Sequence, residues 1–185
     1  MKVTKTSMEG LLILEPMVFG DERGFFYESY NQRDFLKKVG LDVTFVQANH
    51  SHSVQGVLRG LHYQVKQPQG KLVSVIRGKI FDVVVDLRQG SSTFGKWESF
   101  ELSEENRKQL WIPPGFAHGF LTLSKSADVL YKTTDYYAPE HERTLAWNDP
   151  EISVLWPLEE VGEFKFSEKD GAGISLEKAK EEILH

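Results

Sequence analysis

Residues 71–88 read KLVSVIRGKIFDVVVDLR. β-Branched residues dominate the stretch, and Gly78 sits at its centre within IRGKI. It therefore reads as two strands joined by a tight hairpin turn. The second half, FDVVVDL, is apolar on both faces around its middle. A strand with one wet face would alternate, so this one predicts two packed layers or a covered sheet.

The rest of the chain repeats that grammar. LLILEP, FFYESY, TFVQANHS, GVLRGLHYQ, WESFELS, QLWIPP, GFLTLS, DVLYKTTDYY and TLAW are short runs rich in β-branched and aromatic residues, broken by Gly or polar residues. About ten short strands predict an all-β sandwich or barrel. Two helices are expected. In NQRDFLKKVG, Asn31 caps the start, Gly40 ends it, and Phe35, Leu36 and Val39 share a face. In SLEKAKEEILH, Ser175 is the cap of a C-terminal helix. With no repeat, low-complexity tract or linker, residues 1–185 are expected to form a single domain.

Composition narrows the function classes. The 185 residues are 40% hydrophobic and 26% charged, as in ordinary globular proteins. A net charge of −5 argues against broad nucleic-acid binding, while leaving room for a local basic pocket. There is no cysteine, so disulfides and thiolate metal sites are excluded. MKVTKTSMEG lacks the apolar core of a signal peptide, and no apolar run is long enough to span a bilayer. A cytoplasmic protein without membrane partners is expected.

His62, in GVLRGLHYQ, fits three readings: a half-buried strand histidine, a metal ligand or a general base. Gln64 occupies the position where an H-x-H metal pair would continue. His50 and His52 form such a pair on one face, but no carboxylate follows closely. No metal is expected.

WIPPGFAHGF contains P-x-G-x-x-H, ending at His118. This resembles the second motif of the cupins, double-stranded β-helix jelly rolls, and it agrees with the strand count. The first cupin motif, with its ligand histidines and glutamate, is missing. A wider set is more specific. DERGFFYESYN, FVQANHSHS, GVLRGLHYQ, QGKLVSVIRGKIFDVVVDLR, PPGFAHGF, LYKTTDYYAPEHE and SEKD occur in that order. Together they resemble the nucleotide-sugar 3,5-epimerase family, from about Glu15 to Asp170.

The resemblance implies a cupin-like fold and a dTDP-linked 4-keto-6-deoxyhexose substrate. Protons leave C3 and C5, which flank the C4 ketone, and return on the opposite face. That chemistry needs a base, a charge stabiliser and an acid, but no cofactor. No Rossmann fingerprint or P-loop is present. By resemblance His62 is the base, Asp170 its orienting partner and Tyr131 the acid. Asp82, on a central strand, is the other carboxylate weighed for His62. Lys71, at a strand start, would face the ketone oxygen, although a lysine there could equally snorkel to water. His118 would bond the keto region or sugar hydroxyls.

Arg23 and Arg59 suit the diphosphate, because a guanidinium forks onto phosphate oxygens. Gln47 and Asn49 share a face and, with Glu28, match substrate contacts. Glu142 and Lys169 match positions near the nucleotide. Phe19, Phe25 and Tyr137 are stacking candidates, though aromatic residues more often fill cores. The family further implies a homodimer that borrows residues from the partner's N-terminal segment. Close relatives of such an enzyme act at one carbon only or move the carbonyl. A metal-dependent cupin and a non-catalytic sugar-binding jelly roll are the other classes.

One difficulty is geometric. Strict alternation puts Arg59 and His62 on opposite faces of their strand. They can share a pocket only if the strand is irregular between them, and Gly60 is where that could happen.

Overall fold

The structure, a computed structural model, describes residues 1–184. Two antiparallel sheets pack face to face. The first has the order β1 (Lys2–Lys5), β2 (Leu12–Glu15), β10 (Gln109–Ile112), β7 (Lys71–Arg77), β12 (Ser126–Thr133), β5 (Gln47–Val54). The second runs β13 (Glu142–Thr144), β6 (Leu58–Gln64), β11 (Phe116–Thr122), β8 (Lys79–Asp86), β9 (Trp97–Ser103). Strands β3 (Val18–Asp21) and β4 (Gly24–Tyr27) pair only with each other. Most sheet neighbours are not consecutive in the chain, and the result is a cupin-type jelly roll.

The expected hairpin of residues 71–88 is split between the sheets. β7 belongs to the first and β8 to the second, with Gly78 turning between them at φ 75°. The two-sided apolar character of β8 now has a cause. Ile80 and Val84 face the inter-sheet core, with Val73, Val75, Leu110, Ile112, Phe116, Phe120 and Val129. Val83 and Val85 face outward, under Leu145, Ile152, Trp156, Leu176 and Ala179 of the C-terminal segment. The second sheet is thus both packed and covered.

The outer face of the first sheet is covered at one end. Helix α1 (Gln32–Val39) lays Phe35 against Leu72 and Trp111. Asn31 caps it through Arg33 and Asp34 N–H, and Gly40 closes it in a left-handed conformation. Leu36, expected on the buried face, is exposed, because an eight-residue helix presents only one narrow stripe. Helix α3 (Leu176–Leu184) starts at Ser175, whose Oγ and carbonyl accept from Lys178 and Ala179 N–H. The last residue of that expected segment, His185, lies outside the described residues. A further one-turn helix, α2 (Glu168–Gly171), was not expected from sequence. TLAW is mostly not strand: β13 ends at Thr144, and Leu145 keeps only a bridge to Ile174.

Candidate active site

A cavity of about 520 Å³ opens between the sheets at one end of the sandwich. Its size suits a small organic ligand. One wall is the second sheet. In β6 the side chains of Leu58, Leu61 and Tyr63 point to the outer core. Arg59 and His62 both line the cavity. The parity conflict is resolved by a register shift. Arg59 pairs with Phe120 and His62 with His118, so three steps on β6 match two on β11. Gly60 is the extra residue, at φ 106°. A Cβ there would lie 2.6 Å from both Gly119 Cα and His118 O, so only glycine fits.

The bulge also anchors the carboxylate that holds His62. His62 Nε2 donates to Asp170 Oδ1 at 2.7 Å, and Gly60 N–H donates to the same oxygen at 3.1 Å. Ser167 Oγ donates to Asp170 Oδ2 at 2.7 Å and caps α2 by accepting from Asp170 N–H. Burial pushes the Asp170 carboxyl up, but these hydrogen bonds outweigh it and hold it well below the ordinary carboxylate range. With Nε2–H committed to a permanent carboxylate, the lone pair sits on Nδ1.

A second histidine–aspartate pair stands beside the first. His118, the cross-strand partner of His62, donates from Nε2 to Asp82 Oδ2 at 2.8 Å. Asp82 is fully buried. The carboxylate weighed for His62 therefore belongs to His118.

The facing wall is the first sheet. Tyr131 and Asn49 are cross-strand partners there, and Gln47 lies two residues before Asn49 on the same face. Burial, reinforced by Glu142 and opposed by Arg59, raises the Tyr131 phenol above its ordinary value, so it keeps its proton. Lys71 is 8% exposed, so it is buried rather than snorkelling. Burial pulls its ammonium down to about 8, while Asp82 and Glu142 pull back and Lys169 adds to the fall. It reaches the His62 carbonyl at 3.4 Å.

The remaining expected residues divide into two groups. Arg59 is held by Ser53 Oγ and the His52 carbonyl and forms no ion pair among the described residues. Glu142, Lys169 and Tyr137 meet at the cavity edge: Glu142 Oε2 accepts from Lys169 Nζ at 2.5 Å and from Tyr137 OH at 2.7 Å. These all line the cavity. Phe19, Arg23, Phe25 and Glu28 do not line the cavity of their own chain. The β3–β4 hairpin has no third strand to carry it inward. Phe19 and Phe25 are each 60% exposed, and Arg23 pairs with its neighbour Asp21. Glu28 bonds Asn31 and, with Phe19, borders a separate cavity of about 340 Å³.

Two contributors escaped the sequence reading. Ser167 locks the orientation of Asp170, and its S-x-x-D spacing was the available signal. Arg88, which also lines the cavity, is pinned by Asp86 and lies over Phe116; nothing local marked it.

The residues do not fit the metal common in cupins. Gln64 Nε2 donates to the Gln67 and Tyr136 carbonyls, and Gln64 Oε1 accepts from Ala138 N–H. The two cavity histidines each give a nitrogen to a carboxylate. Among the described residues no three His, Asp or Glu side chains converge as a metal site.

Fold and cavity define a jelly-roll protein with a carboxylate-held histidine on one wall of its cavity and a protonated phenol on the other. Residues 5–178 match the dTDP-4-dehydrorhamnose 3,5-epimerase family, and the chain belongs to it. It is an epimerase. It is 58% identical to a dTDP-4-dehydrorhamnose 3,5-epimerase of Pseudomonas aeruginosa, over 94% of each chain. A Salmonella typhimurium enzyme of the same description is 54% identical over 97% of each. Among solved structures, the dTDP-6-deoxy-D-glucose-3,5-epimerase of Legionella pneumophila, in complex with dTDP-4-keto-L-rhamnose, superposes with a TM-score of 0.92. It is 51% identical, covering 95% of this chain and 93% of that one.

Proposed function

We propose that the protein converts dTDP-4-dehydro-6-deoxy-D-glucose into dTDP-4-dehydro-L-rhamnose by inverting C3 and C5. The C4 ketone acidifies both neighbouring C–H bonds. His62 Nδ1 takes the proton, and Asp170 carries the imidazolium charge. The enolate oxygen is stabilised by the Lys71 ammonium in a site with little water, with His118 as a further donor. Tyr131 returns a proton from the other side of the ring. The observation that carries this reading is the His62–Asp170 pair and Tyr131 on opposing sheets across one cavity. Inversion requires that opposition.

In the same reading Arg59 neutralises the diphosphate, and Gln47, Asn49, Tyr137, Glu142 and Lys169 hold the nucleoside and sugar. No cofactor takes part. The chain acts as one domain, in the cytoplasm, as a homodimer. Each β3–β4 hairpin crosses to the partner, covering its exposed phenylalanines and bringing Phe19, Arg23, Phe25 and Glu28 to the other cavity. What supports the exchange is that these four residues reach nothing in their own chain's cavity.

Proton exchange in D2O, followed by NMR, tests the chemistry. The wild type should incorporate deuterium at both C3 and C5. His62→Ala should lose exchange at both carbons by about 10²-fold or more. Tyr131→Phe should exchange but invert poorly. Label at C3 alone would reduce the reading to a single-centre epimerase, and normal exchange by His62→Ala would remove the base assignment.

A further inference from the structure

Helix α2 has four residues, two of which reach the site in different directions. Asp170 holds His62, and Lys169 holds Glu142. The segment around α2 is fixed at two distant points. Before it, Leu58 N–H donates to the Lys165 carbonyl and Lys165 N–H to the Gly56 carbonyl. After it, Ile174 N–H donates to the Thr144 carbonyl and Ala146 N–H to the Ile174 carbonyl. Across the span between them, Asp170 and Lys169 provide the side-chain anchors to the second sheet.

Glu142 closes this arrangement into a ring. It sits on β13, opposite Gln64 of β6, and its neighbour Thr144 is opposite His62 itself. The ring runs from His62 to Asp170, through the α2 backbone to Lys169, across to Glu142, and back through the β13–β6 ladder. We propose that Glu142 is a positioning residue for the base: by gripping Lys169 it holds α2 so that Asp170 stays on His62. The Tyr137 hydroxyl, on the same Glu142 oxygen, fixes the carboxylate from a third side. Burial raises the Glu142 carboxyl, but Lys169 and Tyr137 outweigh it and keep it ionised. This role is additional to any contact with the nucleotide, and it rests on His62 being the base.

The ring makes a prediction that a simple ligand contact does not. Breaking it from either side, by Glu142→Gln or Lys169→Met, should have the same consequence. Each should lower kcat by about tenfold to a hundredfold, the scale of a misplaced catalytic group, with a smaller change in KM. The double variant should be no worse than either single one. Glu142→Asp, which keeps the charge, should recover part of the loss. A second readout does not depend on turnover: the downfield N–H proton of His62 in 15N-histidine-labelled protein, which reports the bond to Asp170. It should broaden or move upfield in both single variants.

If Glu142 acted only through its charge, Lys169→Met would leave that N–H signal and kcat intact. If both residues only bound nucleotide, KM would rise with kcat unchanged and the effects would add. Either result overturns the positioning role. Failure of the underlying reading is distinguishable, because His62→Ala would then exchange normally at C3 and C5, while the His62 N–H signal would still respond to Glu142→Gln and Lys169→Met.

Discussion

At the scale of single residues, Lys71 shows the tension in the site most clearly. Its ammonium titrates near 8 in the folded chain against 10.5 when exposed. Below pH 8 both states are protonated, and burying the charge costs about 3 kcal/mol. As pH rises from about 8 to 10.5 the folded state alone loses the proton, so stability increases while the charge proposed to stabilise the enolate is lost. Lys71→Met should abolish the rise in urea midpoint across that window. It should also lower kcat by about 10²-fold at pH 7, the size of a lost oxyanion donor. A variant that kept both the slope and the activity would show that the ammonium is not what titrates there. How legible such residues were depended on distance along the chain. Composition placed Lys71, His62 and Tyr131 on strands, while the roles expected of His62 and Tyr131 came from the resemblance. The partners were harder: Asp170 lies 108 positions from His62 and Asp82 lies 36 from His118. No local pattern joins residues that meet only after the sheet has folded. Asp170 was reachable only through the resemblance of SEKD, and Asp82, the alternative carboxylate for His62, holds His118 instead.

At the scale of elements, strand periodicity carried most of the fold and then failed where function needed it to. Runs of β-branched and aromatic residues located most strands but not β1 or β3, and alternation turned Arg59 and His62 into a contradiction that demanded an irregularity at Gly60. What periodicity could not supply was where each strand pairs. FFYESY has the composition of a core strand, yet β4 pairs only with β3 and exposes Phe25 and Phe26. The bulge itself is testable. Gly60→Ala would push a methyl into Gly119 Cα and His118 O while occupying a positive φ that alanine avoids. The expected loss is on the order of 2–3 kcal/mol in urea unfolding. Activity should fall more steeply than stability, because the same residue's N–H orients Asp170. An alanine variant with wild-type kcat would mean that the shift in register does not set the base.

At the scale of the whole molecule, the β3–β4 hairpin pairs with no other strand of its own chain and leaves its phenylalanines largely exposed, although Arg107 lies over the Phe25 ring. Burying a phenylalanine is worth roughly 1.5–3 kcal/mol, so Phe19, Phe25 and Phe26 form a costly exposed patch unless something covers it. In the proposed homodimer a second copy covers it, and the exchange is reciprocal under two-fold symmetry. Complementation in trans separates this arrangement from one in which the hairpin serves its own chain. His62→Ala lacks the base but carries an intact arm, whereas Arg23→Ala has an intact base and a defective arm. Mixed and allowed to exchange subunits, they form heterodimers. There, the cavity with His62 receives the arm with Arg23, and the other cavity has lost both. Half of the dimers then hold one intact site each, so activity should recover to about a quarter of the wild-type value per subunit. An arm acting in its own chain gives no intact site in any dimer. Mixing would then leave the activity at the mean of the two separate variants, and the donated-arm arrangement would be wrong.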